Sequence, residues 1–198
     1  MSPYKVGLTG SIGMGKSTTA ALFAAHDDVA VWDADAAVHR LYAAGGAAVA
    51  SIAALCPAAL GPDGIDRSAL KEWIAQDPTA IRQIENIVHP LVADDRATFL
   101  NETSARIVIL DIPLLFETGG DAQMDLTVVV STDAATQKSR VLQRPGMTEA
   151  QFERIVSLQM ADAEKRQRAD AIVDTSSMGA ARRDVAAVLS RIREQIDA

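Results

Sequence analysis

The run Gly10-Ser11-Ile12-Gly13-Met14-Gly15-Lys16-Ser17 fits G-x-x-x-x-G-K-[ST] at every fixed position, between an apolar run, Val6 to Thr9, and the helix-favouring Thr18 to Ala25. Residues of these types at this spacing make a cradle for nucleotide phosphates. A phosphate chain needs backbone N–H groups turned inward, and glycines let the chain curl without Cβ clashes. Lys16 is expected to reach the β- and γ-phosphates and Ser17 to ligate Mg²⁺, while the following helix N-terminus adds partial positive charge.

Two acidic clusters follow apolar runs, at the strand ends where an α/β sheet places its ligands. One is Trp32-Asp33-Ala34-Asp35 and the other begins Leu110-Asp111. Phosphoryl transfer needs a carboxylate to orient the attacking hydroxyl and take its proton, and Asp33 is the candidate. Asp35 is either a second site carboxylate or the cap of a helix from Ala36 to Tyr42. Asp111 follows Ile107-Val108-Ile109-Leu110 as a Walker-B carboxylate follows its strand, so it is expected to contact Mg²⁺ directly or through water; a helix cap is the alternative.

The chain is acidic overall, with a formal charge of −7, yet Lys138 to Arg168 holds seven basic residues against four acidic ones. The overall sign argues against a nucleic-acid partner, whose phosphate backbone needs a basic face. The local excess reads either as a solvated helix pair or as a phosphate-clamping lid containing Arg140 and Arg144. Thr148 and Gln151 have capping-box spacing ahead of a helix through Phe152, Ile155 and Leu158.

These groups need a frame. Tyr4–Thr9, Val29–Asp33, Arg106–Asp111, Leu126–Ser131 and Ala171–Asp174 read as short strands alternating with helices, which implies an α/β three-layer fold with a five-stranded parallel sheet. Val185, Val188, Leu189, Ile192 and Ile196 mark a final helix packed on that sheet. The expected domain is single, with a core of 1–44, 102–137 and 169–198, a helical insertion over 45–101 and a lid over 138–168. The insertion reads as all helix: Asp77-Pro78 opens one helix whose face is Ile81, Ile84, Ile87 and Val88, and His89-Pro90 breaks it. No apolar stretch is long enough to span a membrane. Cys56, the one cysteine, reads as core filler, and with no leader expected before the first strand the expected compartment is the cytoplasm.

Taken together, the chain resembles the dephospho-coenzyme A kinase family. The resemblance rests on Gly7-Leu8-Thr9-Gly10 through Ser17, Asp33-Ala34-Asp35, His89-Pro90, Asp111-Ile112-Pro113-Leu114-Leu115-Phe116-Glu117, Arg140, Arg144, Gln159, Lys165 and Ala169-Asp170, and it spans essentially the whole chain. It implies a P-loop kinase fold and transfer of the ATP γ-phosphoryl group to the ribose 3′-hydroxyl of dephospho-CoA, the last step of CoA synthesis. By the same resemblance Gly10, Ser11, Ile12, Gly13, Met14, Gly15, Lys16, Ser17 and Thr18 hold ATP. Asp33 acts on the 3′-hydroxyl, and Arg140 and Arg144 close on the transferring phosphate. Asp35, His89, Pro113, Leu114, Leu115, Phe116 and Glu117 line the dephospho-CoA site, and Mg²⁺ lies at Ser17 and Asp111.

The chain departs from the family after Ala171-Ile172-Val173, where Asp174-Thr175-Ser176-Ser177 stands in place of a usual Asn. Two other readings share the phosphate loop: a kinase of the same fold acting on a nucleoside monophosphate or sugar acid, and a GTPase-like switch. The switch is disfavoured because no N/T-K-x-D guanine-reading run follows the fourth strand.

Overall fold

The computed structural model describes residues 2–198; Met1, the first residue of the expected core, lies outside the described residues. The described residues form two units, 2–32 with 103–198 and 33–102.

In the first unit the sheet is built from β1 (Tyr4–Thr9), β2 (Val29–Asp33), β5 (Ile107–Asp111), β6 (Leu126–Ser131) and β7 (Ala171–Asp174), in the order β2-β5-β1-β6-β7. Residues 33–102, from the last residue of β2 through a short hairpin of β3 (Leu60–Gly61) and β4 (Gly64–Ile65), belong to the second unit. β1 pairs in parallel with β5 and β6, and β6 with β7, in registers such as Val6 with Ile109 and Val130 with Val173. β5 and β6 are buried along their whole length, as near-continuous apolar runs in a covered parallel sheet must be.

Helices complete this unit: α1 (Lys16–Ala24), α6 (Ala134–Leu142), α7 (Glu149–Ser157), α8 (Asp162–Arg168) and α9 (Met178–Ile196). The expected final helix is present, with Val185, Val188, Leu189 and Ile192 buried in the core that also holds Val6, Leu8, Val128 and Phe23. Each such side chain contributes about 1.5–3 kcal/mol on leaving water. The Thr148–Gln151 capping box opens α7 as expected. The basic stretch 138–168 falls within this unit.

The second unit contains α2 (Ala34–Tyr42), α3 (Val49–Leu55), α4 (Arg67–Gln76) and α5 (Ala80–Glu102) around Leu41, Ile52, Leu70, Ile84 and Val88. Cys56 is buried in this cluster as filler. It includes α2, which the expected boundary at 45 assigns to the core; Arg40 on α2 grips Asp95 on α5 through two hydrogen bonds of 3.1 and 2.5 Å.

Three local expectations are corrected here. The insertion is not all helix, because Pro62-Asp63 turns β3 into β4, and Gly64 at φ +112° packs against Tyr42 and Ala43 backbone. His89-Pro90 does not break the helix: α5 runs through Pro90, whose missing N–H deprives only the carbonyl of Asn86, on the exposed side, while Ile84 and Val88 hold the other face in the core. Asp77 ends α4 and caps a turn, accepting the Thr79 N–H at 2.9 Å, and α5 starts at Ala80 with Ile81 exposed at 45%.

Candidate active site

Residues 10–15 leave β1 and enter α1 in the tight curl that the motif requires. Gly13 and Gly15 have φ of +78° and +89°, in the left-handed region that side chains avoid. A Cβ on Gly10 would stand 2.3 Å from Val130 Cγ2, and one on Gly13 would stand 2.5 Å from Val141 Cγ2, so the loop lies directly against β6 and α6. Met14, at a variable motif position, is buried in the core and its sulfur accepts the Thr132 N–H at 3.3 Å. That contact anchors the middle of the loop.

Lys16 opens α1 and forms an ion pair with Asp111 at the end of β5. Asp111 is 2% exposed, and the segment after it turns at Pro113–Thr118 without forming a helix, so the helix-cap alternative for this carboxylate is excluded. Ser17 and Thr18 lie exposed on the first turn of α1. Ser17 and Asp111 are both oxygen donors of the kind that a hard divalent cation takes, and Mg²⁺ typically uses only one or two such protein groups beside phosphate oxygens.

The residue types that carry the lid expectation are placed as follows. Arg140 on α6 donates to the Thr175 carbonyl at 2.6 Å and to the Thr175 hydroxyl at 3.3 Å. Arg144 is exposed in the turn that joins α6 to α7, where Gly146 has φ +75°. Gln159, between α7 and α8, accepts the Ile12 N–H at 3.0 Å, and Gln137 on α6 donates to the Ile12 carbonyl at 2.8 Å.

The Pro113–Glu117 turn sits beside this loop through Thr9, whose hydroxyl donates to the Pro113 carbonyl at 3.0 Å. Leu115 and Phe116 are buried and Leu114 is exposed. Glu117 is bound to the basic stretch: its Oε1 lies 2.9 Å from Nζ of Lys165, a fully buried lysine, and accepts the Met160 N–H at 2.9 Å. Burial pulls the Glu117 carboxyl upward, but Lys165 and the backbone N–H groups outweigh it and hold the group below its ordinary value.

The remaining candidates, Asp33, Asp35 and His89, belong to the second unit. Asp33 ends β2 and is itself the N-cap of α2, its Oδ1 accepting the Ala36 N–H at 3.0 Å. The cap alternative for Asp35 is therefore excluded: Asp33 makes the cap, α2 begins at Ala34, and Asp35 lies in its first turn. His89 is exposed in the middle of α5.

Gln137 and Thr175 were not singled out from the sequence. Gln137 left a signal, since it shares the buried face of α6 with Val141, one helical turn on. Thr175 left none beyond the departure from the family pattern after β7. It is buried, and its hydroxyl lies 2.7 Å from the Met14 carbonyl.

Known proteins resemble this chain in sequence and in fold. The family profile described as dephospho-CoA kinase matches residues 4–180. A dephospho-CoA kinase from Cereibacter sphaeroides is 58% identical over 198 residues, covering 100% of both chains. A solved structure from Thermus thermophilus superposes with a TM-score of 0.85 at 31% identity, covering 96% of this chain and 98% of that one. A dephospho-CoA kinase structure from Campylobacter jejuni, at 21% identity and TM-score 0.69 over 96% of this chain and 98% of that one, shares the fold. A phosphate loop, a Lys–Asp pair at its rim and a match along nearly the whole chain lead to one assignment: the chain belongs to the dephospho-CoA kinase family.

Proposed function

We propose that this chain transfers the γ-phosphoryl group of ATP to the ribose 3′-hydroxyl of dephospho-CoA, giving CoA and ADP, with Asp33 as the proton acceptor. The observation that carries the chemistry is the glycine curl of residues 10–15 with Lys16 at its rim, in a chain matched over residues 4–180 to this family. Such transfer depends on positioning and charge stabilisation. Gly10 to Thr18 hold the phosphates through backbone N–H groups and the helix N-terminus. Lys16, aimed by Asp111, meets the charge that gathers on the γ-phosphate oxygens. Ser17 and Asp111 supply the oxygens for Mg²⁺, which when bound neutralises charge shared between β- and γ-phosphates.

Asp33 takes the proton from the 3′-hydroxyl as that oxygen forms its bond to γ-phosphorus, and the bond from γ-phosphorus to the bridging oxygen breaks to release ADP. Its capped Oδ1 fixes the carboxylate, leaving Oδ2 for the hydroxyl. Arg144, exposed in the α6–α7 turn, and the donors of Arg140 not spent on Thr175 close over the transferring group as a lid spanning 138–168. Asp35, His89 and the Pro113–Glu117 turn line the acceptor side. Incubation with ATP and dephospho-CoA, followed by ³¹P NMR, tests the reading. A new phosphomonoester on the 3′ oxygen, in step with ADP, is expected; nucleotide hydrolysis that leaves dephospho-CoA unmodified is the behaviour of a switch protein and contradicts it.

A further inference from the structure

The carbonyls of the phosphate loop are held from behind. Ile12 C=O takes the Gln137 side-chain N–H at 2.8 Å, and Met14 C=O takes the Thr175 hydroxyl at 2.7 Å. Among the described residues every peptide bond is trans. In a trans peptide the C=O of one residue and the N–H of the next point in opposite directions and move as one plane. Fixing Ile12 C=O therefore fixes the direction of Gly13 N–H, and fixing Met14 C=O fixes Gly15 N–H. Both glycines have positive φ, where a residue without Cβ has most freedom to rotate its peptide away.

We propose that Gln137 and Thr175 are positioning residues for ATP: by anchoring the carbonyls of Ile12 and Met14 on the outer side of the loop, they turn the N–H groups of Gly13 and Gly15 toward the phosphates. This rests on the reading of Gly10 to Thr18 as the ATP phosphate site. The Thr175 hydroxyl has one proton to give. Ser131 C=O, 3.2 Å away, already accepts the Thr175 backbone N–H at 2.9 Å, so the proton goes to the closer Met14. Arg140 reinforces that choice. A guanidinium only donates, so at 3.3 Å it engages the hydroxyl oxygen as an acceptor, while its second nitrogen clamps the Thr175 carbonyl at 2.6 Å. Gln137 and Thr175 are both buried, so each anchor works in a site that excludes water and cannot be replaced cheaply by solvent.

The test uses Thr175→Val, which keeps shape and loses the hydroxyl, Thr175→Ser, which restores it, and Gln137→Met, which keeps length and loses the donor. ATP affinity is measured by calorimetry, together with KM for each substrate and the melting temperature. Thr175→Val and Gln137→Met are expected to bind ATP about tenfold more weakly, the worth of one such hydrogen bond. Thr175→Ser is expected to recover most of the loss, and KM for dephospho-CoA to stay unchanged. Wild-type ATP affinity in Thr175→Val, or a serine variant as weak as the valine one, overturns the proposal. Should Thr175→Val fail to fold, Gln137→Met carries the same test. Lys16→Ala run alongside separates the two levels. Its loss of activity with unchanged ATP affinity in Thr175→Val removes only the positioning role, whereas full activity in Lys16→Ala removes the phosphate-site reading itself.

Discussion

Asp33 caps α2 with one carboxylate oxygen, 3.0 Å from the Ala36 N–H, and this leaves the other oxygen for chemistry. The two roles separate by substitution. Asp33→Asn keeps an oxygen for the cap and loses proton acceptance, so kcat is expected to fall by roughly 10² or more with nucleotide affinity and melting temperature nearly unchanged. Asp33→Ala loses the cap as well, at a further cost of about 1 kcal/mol in stability. Steady-state kinetics with thermal denaturation checks both; collapse of ATP binding in Asp33→Asn assigns the residue to the nucleotide instead.

Lys16 and Asp111 form an ion pair around a carboxylate that is almost wholly buried. Lys16→Ala is expected to reduce phosphoryl transfer by about 10²-fold or more, since it removes charge from the transferring group. It also takes the pair apart and lowers the melting temperature. Adding Asp111→Asn is expected to restore part of that stability and none of the activity. An ADP-release assay beside calorimetry resolves the two effects, and near-normal turnover in Lys16→Ala contradicts the role given to it.

Arg144 and Arg140 differ in what else they hold. Arg144 is exposed, so Arg144→Ala is expected to slow single-turnover transfer by a few kcal/mol, an order-of-magnitude figure for a guanidinium on transferring phosphate, at unchanged melting temperature. Arg144→Lys rescues only part, because a point charge lacks the fork. Arg140→Ala is expected to raise KM for ATP as well, because Thr175 loses two donors. Equal and unchanged rates in both alanine variants would return 138–168 to a solvated helix pair.

Stability has an acid limb with two named contributors. Arg193 holds the Asp28 carboxyl below its ordinary value by a hydrogen bond, against opposing burial, and Glu117 is likewise depressed. A depressed carboxyl stabilises the fold above its unfolded pKa, and that stability is lost as pH falls through the folded value. Melting temperature is therefore expected to drop below about pH 4.5, where carboxyls of ordinary pKa begin to protonate. Glu117→Gln leaves buried Lys165 without its counter-charge, at a cost on the order of 3 kcal/mol at neutral pH. Because the wild type loses the same pair in acid, the two melting curves against pH are expected to converge there. Parallel curves would contradict the assignment.

The strands were legible because each buried run, such as Ile107 to Leu110 or Val128 to Val130, is too apolar and β-branched for a surface position. The phosphate loop was legible because its glycines are demanded by local backbone geometry. Pro90 misled because local preference yields to packing: the Ile84 and Val88 face and the Arg40–Asp95 pair hold α5 together across it. The hairpin at Pro62-Asp63-Gly64 carried a turn signal that the surrounding alanine-rich helical pattern obscured. Glu117 with Lys165 and the anchors on Ile12 and Met14 depend on residues distant in sequence meeting in space. No periodicity records such meetings.

The central claim is that the chain phosphorylates dephospho-CoA with ATP, and the acceptor decides it most directly. Specificity constants measured with ATP at saturation, for dephospho-CoA, a nucleoside monophosphate and a sugar acid, compare the acceptors on one scale. The account predicts a kcat/KM for dephospho-CoA at least about 10³-fold above the others, as expected of a site built to hydrogen-bond its own substrate. A higher value for the nucleoside monophosphate or the sugar acid would contradict it.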